Sequence, residues 1–105
     1  MYASRFPTAG NAIAALDVSP RDAIGDADIV TVGGTKNGML FGDAVLVRRP
    51  EHFGGIHYVQ KQIGHLASKH RFVAAQFPAM LEDGLWLETA AHANAMAKKL
   101  SEGMV

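Results

Sequence analysis

The sequence predicts an α/β fold in which two strands in the first half of the chain are followed by two long helices in the second half. Two apolar runs rich in β-branched residues, at 28–32 and 44–47, have the composition of buried strands. In the second half, apolar residues recur at helical spacing over 58–76, and alanine is frequent over 85–100. The two predicted strands therefore flank a glycine-rich turn, and the predicted helices follow it.

The first 27 residues predict an irregular start and two short helices. Residues 1–10 contain a proline and a glycine that break regular structure, whereas 11–16 is alanine-rich and predicts a helix. Ser19 followed by Pro20 is typical of a helix start, with a capping residue before a proline in the first helical position. We expect this second helix to end near Gly25.

The rest of the chain predicts one strand end and two helices. Pro50 ends the second strand, because proline cannot continue the hydrogen-bonded ladder. The stretch 58–76 predicts one long helix that Pro78 kinks or ends, and Gly84 separates it from the helix over 85–100. The apolar residues expected on one face of the first long helix are Val59, Ile63, Leu66 and Val73.

Composition narrows the possible functions. The 105 residues suffice for one domain at most, or for a piece of a larger one. Ten Lys and Arg residues balance ten Asp and Glu residues, so nothing attracts the chain generally to nucleic acid or to an anionic membrane. The absence of cysteine excludes disulfides and thiolate zinc sites, and the five histidines lack a metal-ligand spacing on one helix. With neither a membrane-length apolar stretch nor a secretory signal, we expect a cytoplasmic protein.

The turn between the strands, Gly33-Gly34-Thr35-Lys36-Asn37-Gly38, holds the most informative residues. A lysine beside apolar surface is partly desolvated, which favours the neutral amine that imine chemistry with an aldehyde cofactor requires. The segment is not a nucleotide-binding P-loop, since its lysine precedes the second glycine position of that motif. The alternative is a solvated lysine in a hairpin turn, because Gly, Asn and Lys are ordinary turn residues.

Three blocks of the sequence resemble the low-specificity L-threonine aldolases, which belong to the β-eliminating lyase family of pyridoxal 5′-phosphate (PLP) enzymes. The blocks are 28–38 with 42–45, then 64–76, then 85–97, and they stand in the family's order. The resemblance implies a partial PLP-transferase-like fold. Residues 1–50 would be the end of the large, PLP-binding domain, and residues 51–105 would be the linking helix and the start of the small C-terminal domain.

The resemblance also implies roles for individual residues. Lys36 matches the catalytic lysine that binds PLP covalently, and Thr35 is placed to bond the cofactor phosphate, although its hydroxyl is equally suited to stabilising the turn. Lys69 and Arg71 match basic residues that reach the phosphate of a neighbouring subunit, with a solvated helix face as the alternative. Arg5 matches the arginine that holds the substrate carboxylate.

The sequence departs from the family pattern at its start. Tyr2 stands where these aldolases carry the aspartate that keeps the pyridine nitrogen of PLP protonated, and residues 7–10 resemble an insertion. The resemblance implies that the segment begins in the middle of the cofactor domain. The family's phosphate loop and its ring-stacking aromatic residue would then lie upstream of the matched region.

Two functional hypotheses follow. The first is a PLP-dependent aldehyde-lyase that cleaves L-threonine or L-allo-threonine to glycine and acetaldehyde, with this chain alone incomplete or inactive. The second is a non-catalytic, truncated α/β or helical module that oligomerises. For either one we expect a homo-oligomer, because the two predicted helices carry apolar faces that two strands are too few to cover.

Overall fold

The computed structural model describes residues 3–5 and 9–104, and in this part of the chain it shows a three-stranded sheet with six α-helices. In chain order the elements are β1 (Ala3–Arg5), α1 (Ala9–Leu16), α2 (Pro20–Ile24), β2 (Ile29–Gly33), β3 (Asp43–Val47), α3 (Ile56–Gln62), α4 (His70–Ala74), α5 (Gln76–Leu81) and α6 (Leu85–Gly103). Short 3₁₀ turns span Thr35–Asn37, Pro50–His52 and Glu82–Gly84. The α/β class is confirmed, and the division into two domains at residue 50 stays a prediction.

β2 is the central strand of the sheet. β3 pairs with it antiparallel, from Ile29 opposite Val47 to Gly33 opposite Asp43, and this confirms the two predicted strands. β1 pairs with β2 parallel over only three residues, and it was not predicted: residues 1–10 were expected to be irregular. The sequence Ala-Ser-Arg has no β-branched or aromatic residue, so this strand depends on its pairing with β2 rather than on its own propensity.

The core is small and lies between β2 and the helices α1 and α6. Ile13, Ala27 and Val30 are buried together, and Val30 is fully enclosed. Both short helices were predicted. Ser19 caps α2 by accepting a hydrogen bond from the Asp22 amide at 3.1 Å.

Two asparagines clamp α1 to α6. The Asn11 side-chain amide donates to the Asn94 side-chain oxygen at 3.0 Å and to the Ala90 carbonyl at 3.3 Å. In return, the Asn94 amide donates to the Asn11 backbone carbonyl at 2.9 Å. The clamp joins residues 83 positions apart and so fixes the C-terminal helix on the N-terminal part of the fold.

The prediction of a continuous helix over 58–76 is wrong. The chain leaves the helical conformation between α3 and α4, with Gly64 and Lys69 in the left-handed region at φ 77° and 62°. Val59 and Ile63 are 50% and 60% exposed, so the predicted apolar face packs against little, and packing is what stabilises most helices in proteins.

A helix does not end at Pro78 as predicted, whereas the second predicted long helix is observed. Pro78 lies in the first turn of α5, where its missing N–H leaves no helical hydrogen bond unmade, so α5 runs through it to Leu81. The helix predicted over 85–100 is confirmed as α6, which runs three residues further.

The molecule is extended. Its dimensions are 53 × 31 × 26 Å and its radius of gyration is 16.0 Å, whereas a compact domain of this length has a radius of about 13 Å. Its accessible surface is 7885 Å², against about 5,700 Å² for a compact monomer of this size. None of the helices between Ala9 and Gly103 combines the length and the apolarity that crossing a bilayer requires.

Candidate active site

The glycine-rich turn is a single 3₁₀ turn held by its own backbone. The Gly34 carbonyl accepts hydrogen bonds from the amides of Asn37 and Met39, at 2.9 and 3.0 Å. The Gly34 amide donates to the Gly42 carbonyl at 3.4 Å, which closes the connection between β2 and β3. Gly38 leaves the turn in the left-handed region at φ 102°, a conformation that glycine adopts without steric cost. Lys36 therefore has a defined backbone conformation.

Gly34 is required by close packing rather than by its backbone angles. Its φ of −107° is open to any residue, but a Cβ added there would overlap the Met39 side chain, whose own Cβ would be 2.8 Å away. Met39 is buried beneath the turn. This glycine lets a large side chain fill the space directly under the residues that lead to Lys36.

Side chains from the second half of the molecule hold the turn in place. The Asn37 side-chain amide donates to the Trp86 carbonyl in the first turn of α6, at 2.9 Å. Gln76 accepts from the Leu40 amide at 2.8 Å and donates to the Phe41 carbonyl at 3.2 Å. These anchors were not predicted, because their partners lie 35 to 49 positions away and no local pattern marks them.

A small apolar cavity of about 30 Å³ lies under the turn. Its lining includes Val32, Met39, Phe77, Met80 and Trp86. Ligand pockets typically measure about 300–1,000 Å³, so this cavity is too small for a cofactor.

Lys36 and Thr35 lie on the outer side of the turn and are exposed. The described chain does not enclose Lys36 in apolar surface, and its partial desolvation stays a prediction. Met39 and Asn37 lie on the inner side of the turn and line the apolar cavity there. An exposed amine on a fixed turn is accessible to an aldehyde arriving from solvent.

Arg5 lies at the same end of the sheet as the turn. β1 and β2 are parallel, and Arg5, the last residue of β1, is level with Thr31, two residues before β2 ends. Because the carboxyl ends of parallel strands share one edge of a sheet, the backbone of Arg5 and the turn bearing Lys36 share that edge. Tyr2 lies outside the described residues.

Lys69 and Arg71 lie at and just after the start of α4. Lys69 lines a groove of about 930 Å³ between β3 and the segment from α3 to α4, and neither Thr35 nor Lys36 contributes to the groove's lining. The Arg71 guanidinium lies over the Phe72 ring, 4.6 Å from its centroid.

Two arginines bind the residues at the start of β2. From the sequence, this segment indicated only where the second strand ends. Arg49 lies 3.0 Å from the buried Asp28 as an ion pair, and Arg48 donates to the Ala27 carbonyl at 3.1 Å. They join the two ends of the β2–β3 hairpin and are structural. Between residues 9 and 104, no three histidine or carboxylate side chains are grouped so as to hold a metal ion.

The site thus consists of an accessible lysine on a glycine-bounded turn, at the carboxyl end of parallel strands in an α/β segment. The sequence resemblance matches this lysine, Lys36, to the cofactor lysine of PLP-dependent lyases. No family model matches the chain.

Two curated proteins, both named low specificity L-threonine aldolase, are similar to nearly all of it. The protein from a Pseudomonas species is 45% identical over 103 residues, which cover 96% of this chain and 29% of that protein. The protein from Pseudomonas aeruginosa is 44% identical over 104 residues, which cover 97% of this chain and 29% of that protein. The predicted resemblance to low-specificity L-threonine aldolases is confirmed, and the chain spans less than a third of the length of these relatives.

The close contact at Gly34 generates a stability prediction. Gly34→Ala should lower the free energy of unfolding by about 1–3 kcal/mol, because the new methyl group overlaps Met39 in a packed site. Gly54→Ala is the matched control: a Cβ there meets nothing within 4 Å, and its effect should stay within about 0.5 kcal/mol. Urea unfolding followed by circular dichroism measures both, and equal midpoints for the two variants would contradict the packing argument.

Proposed function

We propose that this chain is part of a PLP-dependent aldehyde-lyase of the threonine aldolase type, which cleaves L-threonine or L-allo-threonine to glycine and acetaldehyde. The observation that carries the proposal is the accessible amine of Lys36 on a turn with a fixed backbone, inside a sequence that is 45% identical to a protein named for this activity. The composition of the turn alone would not support it, since the same residues occur in ordinary hairpins.

The described residues fit the attachment of an aldehyde cofactor at Lys36. The amine is open to solvent, and the turn that carries it is held by the Gly34 carbonyl and by Asn37. The described residues do not enclose Lys36 in a pocket. PLP, when bound, supplies an electron sink for cleavage of the Cα–Cβ bond.

The residues of this chain have distinct tasks in the proposed site. Lys36 would hold the cofactor through its amine. The Thr35 hydroxyl would bind the cofactor phosphate, and the Arg5 guanidinium would bind the substrate carboxylate. Lys69 lines a groove that does not include the turn, and we assign Lys69 and Arg71 to the phosphate of a neighbouring subunit.

A second candidate function is a non-catalytic module that oligomerises. Two observations favour it: Tyr2 stands where the family has an aspartate, and Lys36 is exposed rather than enclosed. The two candidates differ in one measurable property, which is whether PLP prefers Lys36 over the other lysines of the chain.

Labelling with PLP tests the lyase proposal. With added PLP and borohydride, we expect the label to concentrate on Lys36, because a fixed and accessible amine is held in one orientation toward an aldehyde. Peptide mapping by mass spectrometry locates the label, with Lys36→Ala as the loss-of-site variant and Lys61→Ala as the matched control. An even spread over Lys61, Lys69, Lys98 and Lys99 would show generic amine reactivity and would support the non-catalytic module.

The same preparations can be assayed for turnover. We expect little or no acetaldehyde release from L-threonine with excess PLP, because the described residues do not enclose Lys36 and orientation of the reacting groups supplies a large part of an enzyme's rate. Tyr2→Asp alone should not restore activity, since it adds a carboxylate without adding walls to the pocket. Robust turnover that Lys36→Ala abolishes would show that this chain builds a complete site.

We also propose that the chain forms a homo-oligomer, most simply a symmetric dimer. Its accessible surface exceeds that of a compact monomer by about 2,000 Å², and an ordinary protein interface covers about 800 Å² per partner. Several large apolar side chains that line the groove beside β3 are 50–62% exposed, namely Val45, Val59, Ile63 and Phe72. Clusters of exposed apolar side chains of this kind mark interaction sites, which supports an interface at the groove.

Multi-angle light scattering at micromolar concentration measures this association. We expect twice the chain mass for the wild type and a monomer for Ile63→Lys, because a charge in the groove would have to be desolvated in the interface. Leu100→Lys, at a residue of similar exposure on α6, is the control and should remain a dimer. A monomeric wild type would contradict the proposal.

A further inference from the structure

We propose that Asn37 is a positioning residue for Lys36: its side-chain amide, bonded to the Trp86 carbonyl, fixes the direction in which the lysine leaves the turn. Asn37 is half-buried and bonded to α6, whereas its neighbour Lys36 is exposed, so the two side chains lie in different surroundings. The role of Asn37 in catalysis rests on the proposed function, whereas its effect on the orientation of Lys36 does not.

The geometry of the turn carries the argument. Thr35–Asn37 is a 3₁₀ turn, and successive side chains in such a turn are about 120° apart. Rotation of the turn about its own axis would therefore move Lys36 and Asn37 together. A 2.9 Å bond from Asn37 to a fixed carbonyl opposes that rotation and holds the lysine outward.

The acceptor of this bond belongs to α6, which several contacts hold against α1. Trp86 lies in the first turn of α6, its ring packs beside Gly10 in α1, and Ala90 one turn later is buried. The Asn11–Asn94 clamp fixes the same helix further along. Through Asn37, the lysine turn is thus attached to the packed pair of α1 and α6.

The chemistry of the contact calls for an uncharged donor. A carbonyl oxygen accepts, so the residue facing it must donate, which the asparagine amide does and an ionised aspartate does not. Asn37→Asp would place a carboxylate against the Trp86 carbonyl in almost the same volume. Asn37→Ala would remove the bond without adding repulsion.

Amide hydrogen exchange tests the proposal without any cofactor. The Met39 amide donates to the Gly34 carbonyl across the turn, so its exchange rate reports how often the turn opens. We expect Asn37→Ala and Asn37→Asp to raise this rate at least about tenfold relative to the Val30 amide in the core, with aspartate the larger effect. Ser19→Ala, which removes a side-chain bond to the Asp22 amide outside the turn and α6, is the control and should change the ratio less than about twofold.

PLP labelling of the same variants connects the turn to the lysine. We expect the preference of the label for Lys36 over Lys61 to fall at least about fivefold in both Asn37 variants and to persist in Ser19→Ala. Unchanged Met39 exchange, or faster exchange with unchanged preference, would overturn the positioning role. Faster Met39 exchange in a chain whose wild type shows no preference for Lys36 would support the anchoring of the turn and contradict the lyase proposal.

Discussion

The docking of α6 onto α1 is the contact on which the rest of the structure depends. The asparagine clamp joins the two helices, Ile13 is buried against Val30 of the central strand, and Ala90 is buried on α6. This docking brings the first turn of α6 to the sheet, where the Trp86 carbonyl accepts the Asn37 amide. The defined conformation of the lysine turn follows from a contact between the two ends of the chain.

The region between β3 and α5 is organised differently. α3 and α4 are short, Tyr58, Val59 and Phe72 on them are exposed, and a wide groove separates them from β3. Burial of apolar surface is the main force that stabilises a fold, and this region contributes little of it. In a chain with such a small core and such a large surface, covering the groove would add buried apolar surface.

The proposed catalytic role depends on what surrounds Lys36. The turn fixes the lysine backbone, and Arg5 is placed at the same edge of the sheet, so two of the residues assigned from the resemblance share one location. Neither Thr35 nor Lys36 lines the groove that Lys69 lines. The chain covers 29% of the length of its relatives.

Local sequence alone determined the α/β class, the helix started by Ser19 and Pro20, the two strands beside the turn and the terminal helix, because each depends on propensity, capping or periodicity over a few residues. Local sequence also identified Lys36 and supported a resemblance that the relatives confirm. Only the tertiary structure decided the rest. β1 forms because β2 is beside it, the stretch 58–76 breaks because little covers its apolar face, and the turn is anchored because Asn37 bonds the Trp86 carbonyl 49 positions away. These outcomes depend on which distant groups meet, and neither local propensity nor periodicity encodes that.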